Sequence, residues 1–483
     1  MERFLTYEQF GAKGDGLTDD FDAIIATHEE ANRTGTPVKA KDGAKYLIKK
    51  IGTATIKTDV DFGTAEIIID DREVPHAERG VHIFNVVSDF EPFTFELKSF
   101  SKHQKKLDFP HEGKVYVNVF NENHKIFIRE GLNKNAGHPT HDCMIVDEDG
   151  SILTPIDWDY YDEITKVYAR RVDDKPITVK GGFFTTIANQ AESFYHYHAR
   201  GFSCVRSNIT FENIDHNVTG ELDHGAPYAG FIFVNNSYNV TLRNCFLCPH
   251  FIYWTESAVP GQKVAMGSYD INIASCIDSR IEGIRQHVDI HDRRYWGLIH
   301  THYCKNLTVE NCIMSRYDAH EGVTNITLRN CEFGHQCVNL IGHGEALIEN
   351  CSMTGGALFA LRGDFGCIWD GNITIKNCTW NVRFARDYHP VFWARNCGRH
   401  DFGFDCRMPK VLTIDGLTLT VEDGVQKIFT VFPDYTDNLG EEKPFPYLTP
   451  DKLVLGRISV PEGCSIEIAQ FPEQYKNTVI ERI

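Results

Sequence analysis

Side chains that can transfer protons or bind anions recur over a short stretch in the second half of the chain. Asp318 and His320 stand two residues apart, and they are followed by His335, Arg362 and Asp364. Residues at positions i and i+2 of a β-strand point to the same side of it, so Asp318 and His320 are predicted to share one face. A carboxylate beside an imidazole can act as acid and base. These five residues are therefore the first candidates for a catalytic site.

Hydrolysis of a glycosidic bond is the leading interpretation of this set. The reaction requires a protonated acid and an ionised carboxylate about 5–10 Å apart across the bond. Asp318 paired with Asp292 or with Asp364 can supply these groups, and Asp318 is predicted as the first catalytic carboxylate. His320 and His335 are predicted to adjust these acids or to bind sugar hydroxyls. The nearly isosteric substitution Asp318→Asn is expected to leave the fold intact.

Two other interpretations of the same residues are open. Elimination from a uronate sugar needs a base near the C5 proton and a cation for the carboxylate. His335 or His320 would be that base, and Arg362 would be the cation. A non-enzymatic glycan-binding or structural protein is the third class. Separately, charged residues on an exterior are often merely solvated, so these side chains need not form a site.

A metal-dependent reaction has a weaker basis in the sequence. Segment 289–292 and the pair Asp318 and His320 contain carboxylates and imidazoles, but they lack the ligand spacing of a recognised metal site. No metal and no other cofactor is therefore predicted.

Long segments rich in aromatic residues are expected to surround these side chains. Segments 278–305 and 381–410 are predicted to wall the site, because loops of this length in a compact repeat are usually functional. The predicted substrate is an oligosaccharide that lies across Asp318, His335 and Arg362. The residues predicted to bind it are Arg362, Arg294, Trp296, Trp254, His389 and Trp393.

A repeated strand segment, which we call the frame, must position these residues. The chain reads NLTVENC, NITLRNC, ALIENC and NITIKNC, and these copies end at Cys312, Cys331, Cys351 and Cys378. Apolar and polar residues alternate in each copy, which is the pattern of a strand with one buried face. The shortest steps, from 311 to 330 and from 330 to 350, are 19 and 20 residues, which is typical of a solenoid. The sequence therefore predicts a right-handed parallel β-helix.

Two columns of side chains follow from stacking this frame. The first is predicted to point inward as small buried hydrophobes with free thiols, and its members are Cys245, Cys276, Cys312, Cys331, Cys351 and Cys378. The second is predicted to lie at a bend, where asparagine tolerates a left-handed backbone. Its members are Asn213, Asn244, Ser275, Asn311, Asn330, Asn350 and Asn377.

The chain divides into four predicted segments of an all-β fold. Residues 1–79 form an N-terminal cap and a first rung, with Asp19 able to cap a helix. The repeat is absent from 80–165, which is predicted as an inserted β-rich module that carries no catalytic acid. Residues 166–420 form the parallel β-helix with its active-site loops, and residues 421–483 form a C-terminal cap.

The segment FGAKGDGLTDD at positions 10–20 resembles the N-terminal motif of the pectate-lyase-like β-helix superfamily. The resemblance implies that a helix covers the N-terminal end of the solenoid and hides its open strand edge. It also implies a structural role for Asp15, Asp19 and Asp20.

Segment 295–377 is similar to the active rungs of the polygalacturonases, which are inverting pectin hydrolases. In that family successive rungs carry an Asn-Thr-Asp triplet, an Asp-Asp pair and a Gly-His-Gly triplet. Asp318 occupies the place of the first aspartate, whereas segment 334–337 lacks both acids of the pair and Ala357 replaces the histidine. The resemblance implies a shared architecture but does not support polygalacturonase chemistry.

Composition restricts the partners and the compartment. The formal charge of −18 disfavours nucleic acids and anionic membrane surfaces. No apolar run reaches the length of a membrane span, and no secretory signal is predicted at the N-terminus. Fifteen cysteines without such a signal indicate a reducing compartment. We expect a cytoplasmic protein that acts on imported oligosaccharides, and a homo-oligomer is left open.

Overall fold

Short strands that stack in parallel form most of the chain. The computed structural model describes residues 4–126, 128–129, 137–160, 163–192, 197–225, 227–256, 261, 263–267, 269–335, 337–363, 367–383, 389–394, 400–401, 406–422, 428–434 and 447–483. Ten strands form one parallel sheet in chain order, which we name the site sheet. They are Ala54–Ile56, Phe84–Val86, Phe202–Cys204, Ile232–Asn235, Ile271–Ala274, Leu298–Thr301, Tyr317–His320, Val338–Leu340, Phe359–Leu361 and Phe392–Ala394.

A second sheet, which we name the large sheet, contains 24 strands. They are Asp15–Asp19, Val38–Lys39, Lys45–Ile48, Val60–Asp61, Glu66–Asp70, Ile177–Lys180, Phe183–Ile187, Ile209–Glu212, Asp215–Thr219, Tyr238–Arg243, Phe246–Leu247, Ile277–Glu282, Arg285–Gln286, Cys304–Glu310, Ile313–Met314, Val323–Arg329, Glu332–Phe333, Gly342–Glu349, Ser352–Gly355, Trp369–Val382, Val411–Val421, Lys452–Leu455, Ile458–Ser459 and Val479–Arg482.

A single turn shows how the chain builds both sheets. Leu298–Thr301 belongs to the site sheet, and Cys304–Glu310 and Ile313–Met314 belong to the large sheet. Tyr317–His320 then returns to the site sheet, where Leu298 pairs in parallel with Tyr317, 19 residues later. Neighbouring strands in such a sheet lie about 4.8 Å apart. The predicted all-β fold, a parallel β-helix, is confirmed.

The predicted asparagine column is confirmed at six of its seven positions. Asn330 and Asn350 show how it holds the turns together, because each side-chain amide donates to Oδ1 of the asparagine one turn earlier. The Asn330–Asn311 distance is 3.3 Å and the Asn350–Asn330 distance is 3.1 Å. The six residues, all with φ between 51° and 57°, are Asn213, Asn244, Asn311, Asn330, Asn350 and Asn377.

Ser275 and Cys276 do not belong to the predicted columns, so this part of the prediction is wrong. They follow Ile271–Ala274, a strand of the site sheet, whereas the equivalent bend of the large sheet in this turn is at Gly283. A Cβ at Gly283 would lie only 2.6 Å from Oδ1 of Asn244, so a side chain there would require the Asn244 side chain to move. Strands of both sheets alternate apolar and polar residues, and the pattern therefore cannot separate them.

The cysteines are buried and free. Cys276 lies in the core at the bend of the site sheet, where its N–H is 3.3 Å from Sγ of Cys304. All 14 cysteines among the described residues are free thiols. The members of the inward column that follow the large-sheet bend, each at most 3% exposed, are Cys245, Cys312, Cys331, Cys351 and Cys378.

Helix α1, Phe21–Thr34, covers the beginning of the solenoid, as the resemblance implies. Its buried face includes Phe21 and Ile24, and the helix packs against Ala54–Ile56, the first strand of the site sheet. The carboxylate of Asp20 accepts the backbone N–H groups of Lys13 and Gly14 over 2.6 and 3.0 Å. This acid of the N-terminal motif therefore holds the loop that leads into α1.

His28, on α1, should make the stability of the fold depend on pH. Burial lowers the pKa of His28 from 6.5 to about 3, and its Nε2 lies 3.1 Å from the hydroxyl of Tyr7. Between these two values the unfolded chain binds a proton that the folded chain excludes, so the free energy of unfolding falls as pH falls. The loss from His28 should be about 1.4 kcal/mol per pH unit.

Urea unfolding at neutral and mildly acidic pH measures this dependence. We expect the wild-type protein to lose stability below pH 6.5, and His28→Gln to lose less over the same interval. Equal pH slopes for the two proteins would contradict the assignment.

An inserted β-rich module follows the first turns, but its boundaries differ from those predicted. Val115–Ile126 pairs antiparallel with His138–Val146 and with Lys166–Arg171, so the module reaches residue 171 rather than 165. Phe84–Val86 pairs in the site sheet, and the module therefore begins after residue 86 rather than at 80. Ile177–Lys180 re-enters the large sheet.

A buried ion-pair group fixes the module to the solenoid. Nζ of Lys305, a large-sheet residue, contacts Oδ1 of Asp142 and lies 3.4 Å from Oδ2 of Asp157. The Lys305 and Asp142 side chains are fully buried, and that of Asp157 is nearly so. Burial would lower the pKa of Lys305, but Asp142 and Asp157 raise it above its ordinary value. A charged lysine therefore joins the two parts of the chain.

The ladder continues past residue 420, the predicted end of the β-helix. Val411–Val421 pairs with Lys452–Leu455, which in turn pairs with Val479–Arg482.

The remaining strand groups are Tyr253–Glu256 with Lys263–Met266, His389–Pro390 with Ile428–Thr430 and Ser465–Glu467, His400–Asp401 with Ile128–Arg129, and Cys406–Arg407 with Tyr447–Leu448. Short 3-10 helices span Tyr7–Phe10, His76–Glu78 and Pro472–Tyr475. No helix in the described parts of the chain is long and apolar enough to cross a membrane.

Candidate functional site

The outer face of the site sheet carries a column of side chains from successive turns. Asp318 pairs in register with Ile299 of the preceding turn and with Asn339 of the following turn. The same column continues to Ala360 and Trp393. The pleat of the strands directs all of these residues away from the core, which places Asp318 on the outer face, as predicted.

Asp318 is covered by three side chains that bind its carboxylate. The hydroxyl of Tyr269 donates to Oδ2 over 2.7 Å, and Arg316 donates to the same oxygen over 2.7 Å. Arg362 donates to Oδ1 over 2.8 Å and to Oδ2 over 2.6 Å. Asp318 is 0% exposed as a result, so its carboxylate has no open side for a sugar.

The charge state of Asp318 follows from these contacts. Burial raises the pKa of Asp318, but Arg316 and Arg362 outweigh that effect and hold the pKa below its ordinary value. An ionised carboxylate cannot serve as the proton donor that hydrolysis needs. Its catalytic role stays a prediction, while its placement is that of an anchor for two guanidinium groups.

A pocket of about 490 Å³ opens beside this anchor. It lies between the outer face of the site sheet, the antiparallel hairpin Tyr253–Glu256 and Lys263–Met266, and the edge of the inserted module. The lining residues combine aromatic rings, two arginines, histidines and one carboxylate. They are His138, Tyr197, Ala229, Val264, Ala265, Met266, Tyr269, Asn272, Trp296, Ile299, Thr301, His302, Arg316, His320, Glu321 and Arg362.

Aromatic rings form one wall of the pocket. The ring of Trp296 lies 5.1 Å from that of Tyr269, and the guanidinium of Arg316 lies 4.8 Å from the centre of the Trp296 ring. The indole reaches this position because Gly267 has no side chain. A Cβ at Gly267 would lie 2.0 Å from the ring.

Glu321 is the carboxylate that lines the pocket, and histidines surround it. Nε2 of His138 lies 3.2 Å from Oε1 of Glu321, Nε2 of His302 lies 3.0 Å from Oε2, and Nδ1 of His320 lies 3.8 Å from Oε1. Burial raises the pKa of Glu321, but His302, His320 and His138 outweigh that effect and lower the pKa to about 2. Glu321 is therefore an anion at neutral pH, and these groups can bind a cation or move a proton.

Comparison with known proteins supports the fold and gives no closer relationship. No protein-family model matches the chain, and no curated protein matches its sequence. Among solved structures, the chain is similar to the tailspike protein gp49 from Pseudomonas phage LKA1, with 14% identity, a TM-score of 0.54, and 96% of this chain and 82% of that chain covered. It is also similar to the tailspike gp61 from Pseudomonas phage phi297, with 14% identity, a TM-score of 0.57, and coverages of 94% and 80%.

The chain is a right-handed parallel β-helix. At 14% identity these likenesses concern the fold alone. The role of the site must therefore be argued from the side chains of this β-helix.

The β-helix brings together part of the predicted site. Arg362, Trp296 and His320 all line the pocket, and Arg362 binds Asp318 directly. Segment 278–305 supplies a wall, as predicted, whereas no described residue of 381–410 lines the pocket.

His335, Asp292 and Arg294 do not line the pocket. His335 lies on a turn after a strand of the large sheet, where its backbone N–H donates to the carbonyl of Ile290 over 3.2 Å, and burial lowers its pKa to about 4. Asp292 and Arg294 form a bidentate ion pair with a shortest contact of 2.7 Å. The guanidinium of Arg294 also lies over the ring of Phe251.

The other predicted residues lie at separate places. Trp254 is 68% exposed on the hairpin, and Trp393 lies in the outer column three turns from Asp318. His389 is fully buried, with Nδ1 3.3 Å from the carbonyl of Gly356, so its predicted contact with a sugar has no open surface in this structure. Asp364 lies outside the described residues.

Sequence reasoning missed several pocket residues. Arg316 could have been found, because it is two residues before Asp318 and hence on the same face. Glu321 directly follows a strand at a bend with φ of 65°, a position that the strand pattern does not cover. His138 lies in the module, 180 residues from Asp318 along the chain, and only the folded chain brings it near Glu321.

Proposed function

We propose that this chain is a carbohydrate-active enzyme that hydrolyses a glycosidic bond of an oligosaccharide bound in the pocket. One observation carries the proposal: the aromatic wall of Trp296 and Tyr269 faces the same 490 Å³ space as a buried carboxylate, Glu321, and several imidazoles. Small-molecule sites typically enclose about 300–1,000 Å³ and combine apolar walls with a few polar groups. This pocket has both properties.

Each wall of the pocket matches one part of a sugar substrate. The flat face of Trp296 can pack against the C–H face of a pyranose ring, as aromatic side chains do with apolar surfaces. Arg316 and Arg362 present guanidinium groups that suit hydroxyl or carboxylate oxygens. Asp318 is in this proposal a positioning residue that holds both arginines.

The reacting groups are at the end of the pocket near the module. Glu321 supplies a carboxylate that can stabilise positive charge on the sugar or activate a water molecule. His320 lines the same space, and imidazoles are the commonest groups for proton transfer in enzymes. It is the proposed proton donor to the leaving oxygen.

Elimination is the second candidate, and a specific feature favours it. Two guanidinium groups, those of Arg316 and Arg362, line the pocket together, and a lyase must neutralise the uronate carboxylate while a base removes the C5 proton. His320 would be that base. The net charge of −18 disfavours a long polyanionic chain, so an oligosaccharide is proposed in either case. The cytoplasmic location and the homo-oligomer stay predictions.

A screen of neutral and uronate-containing oligosaccharides tests the proposal and separates the two reactions. Hydrolysis releases reducing ends without new absorbance, whereas elimination also produces an unsaturated uronide that absorbs in the ultraviolet. Binding without turnover would show a glycan-binding protein and contradict the enzymatic proposal.

Two tryptophans provide a matched pair of variants for the active substrate. Trp296→Ala should raise KM by at least about tenfold, which corresponds to about 1.4 kcal/mol of lost binding free energy, and Trp296→Phe should retain part of the affinity. Trp254 lies on the hairpin but outside the pocket, so Trp254→Ala should leave KM unchanged. If Trp254→Ala rather than Trp296→Ala raised KM, the substrate would lie elsewhere.

A further inference from the structure

We propose that His138, His302 and Glu321 form a binding site for a divalent metal ion, with Zn²⁺ as the ion that the ligand set fits best. The inference concerns metal binding and does not rest on the proposed function.

The ligand atoms already lie at metal-binding separations. Nε2 of His138 is 3.2 Å from Oε1 of Glu321, and Nε2 of His302 is 3.0 Å from Oε2. One ligand atom from each of the three residues falls within 4.8 Å of the others. Tetrahedral Zn²⁺ with bonds of about 2.0–2.1 Å needs ligand atoms about 3.3 Å apart. Small side-chain rotations are therefore enough to bind an ion.

Charge balance around Glu321 points to a cation. Its side chain is 5% exposed, and a buried carboxylate is costly unless a positive charge meets it. Its ion-pair partners within the described ranges of the chain are the three histidines His138, His302 and His320, with no lysine or arginine among them. A divalent ion bound by the carboxylate and two neutral imidazoles would supply the positive charge that protonated imidazoles otherwise provide.

The solenoid repeat builds two of the three ligands at equivalent positions. His302 follows Leu298–Thr301 and Glu321 follows Tyr317–His320, which are adjacent strands of the site sheet. Both residues have positive φ, 55° and 65°, and thus occupy the same bend one turn apart. His138, at the start of a module strand, supplies the third ligand. Three ligands on strand ends form a pre-arranged site.

The nature and exposure of the ligands select the ion. Two imidazoles and one carboxylate suit Zn²⁺, whereas Ca²⁺ and Mg²⁺ prefer oxygen ligands. All three residues also line the pocket beside Trp296. Three protein ligands leave a coordination position for water or substrate, as in catalytic zinc sites, and here that position would face the pocket.

Titration of the full-length, chelator-treated protein with Zn²⁺ tests the proposal, with calorimetry as the readout and Co²⁺ as a spectroscopic probe. We expect one tight ion per chain and the intense visible absorption of tetrahedral Co²⁺. Absence of stoichiometric Zn²⁺ binding, or an octahedral Co²⁺ spectrum, would overturn the site. These measurements use the unmodified chain and so do not depend on the folding of any variant.

Single substitutions then assign the ligands. His138→Gln, His302→Gln and Glu321→Gln should each weaken Zn²⁺ binding at least about 100-fold, because even outer-shell changes cost about 10–100-fold. His287→Gln is the matched control, since Nε2 of His287 lies 2.9 Å from Oδ1 of Asp215 in a histidine–carboxylate pair elsewhere on the solenoid. Unchanged Zn²⁺ affinity in the three ligand variants would overturn the assignment.

Discussion

Replacing Lys305 by methionine should lower the free energy of unfolding by about 3–5 kcal/mol, which is the usual cost of removing one partner from a buried ion pair. The substitution leaves the carboxylates of Asp142 and Asp157 buried, at 0% and 4% exposure, without their lysine. Because these two acids belong to the module and Lys305 belongs to the solenoid, the contact between the two parts should weaken. Chemical unfolding measures the loss, and hydrogen exchange should show earlier opening of the module strands.

Two controls separate burial from charge. Lys45→Met removes the lysine of the exposed pair with Glu66, whose side chains are 52% and 44% exposed, and should change the stability little because such pairs contribute little. The triple variant Lys305→Met, Asp142→Asn, Asp157→Asn should recover part of the loss, since no unpaired charge stays buried. A Lys305→Met protein as stable as the wild type would show that the ion pair does not hold the module.

Asp318→Asn should be strongly destabilising, contrary to what the sequence led us to expect. The amide that replaces the carboxylate would leave Arg316 and Arg362, 8% and 13% exposed, without their shared anion. We expect a loss of about 3–5 kcal/mol in the free energy of unfolding, and loss of the pocket geometry that the two arginines define. Chemical unfolding and saccharide binding should both show the effect.

Asp292→Asn is the matched control for this variant. Asp292 pairs with Arg294, but their side chains are 25% and 61% exposed, so the substitution should cost less than about 1 kcal/mol. In a double-mutant cycle, Arg362→Gln should be less harmful in the Asp318→Asn background than alone. Similar stabilities of Asp318→Asn and the wild type would contradict the anchor role and return Asp318 to the catalytic candidates. If Asp318→Asn is instead destabilised, a loss of activity in this variant cannot be attributed to a catalytic role of Asp318 alone.

The frame shows what a local sequence pattern can predict. Asn311, Asn330 and Asn350 were placed correctly because a left-handed bend after a half-buried strand needs a residue such as asparagine, and this requirement is local. Ser275 was misplaced because the same apolar–polar alternation occurs in strands of both sheets. Gly283, which lies at the true bend, carries no side chain that could mark the frame.

The sequence by itself determined the solenoid, because the repeat length, the alternation and the Asn-Cys pair are properties of short segments that every turn imposes again. It also placed Asp318 and His320 on one outer face, since a strand period of two decides that alone. Only the tertiary structure determined which side chains contact those residues. Distant segments must dock before Tyr269 can bury Asp318 and before a histidine of the module can contact Glu321. Docking is governed by complementary shape and charge rather than by any local sequence period.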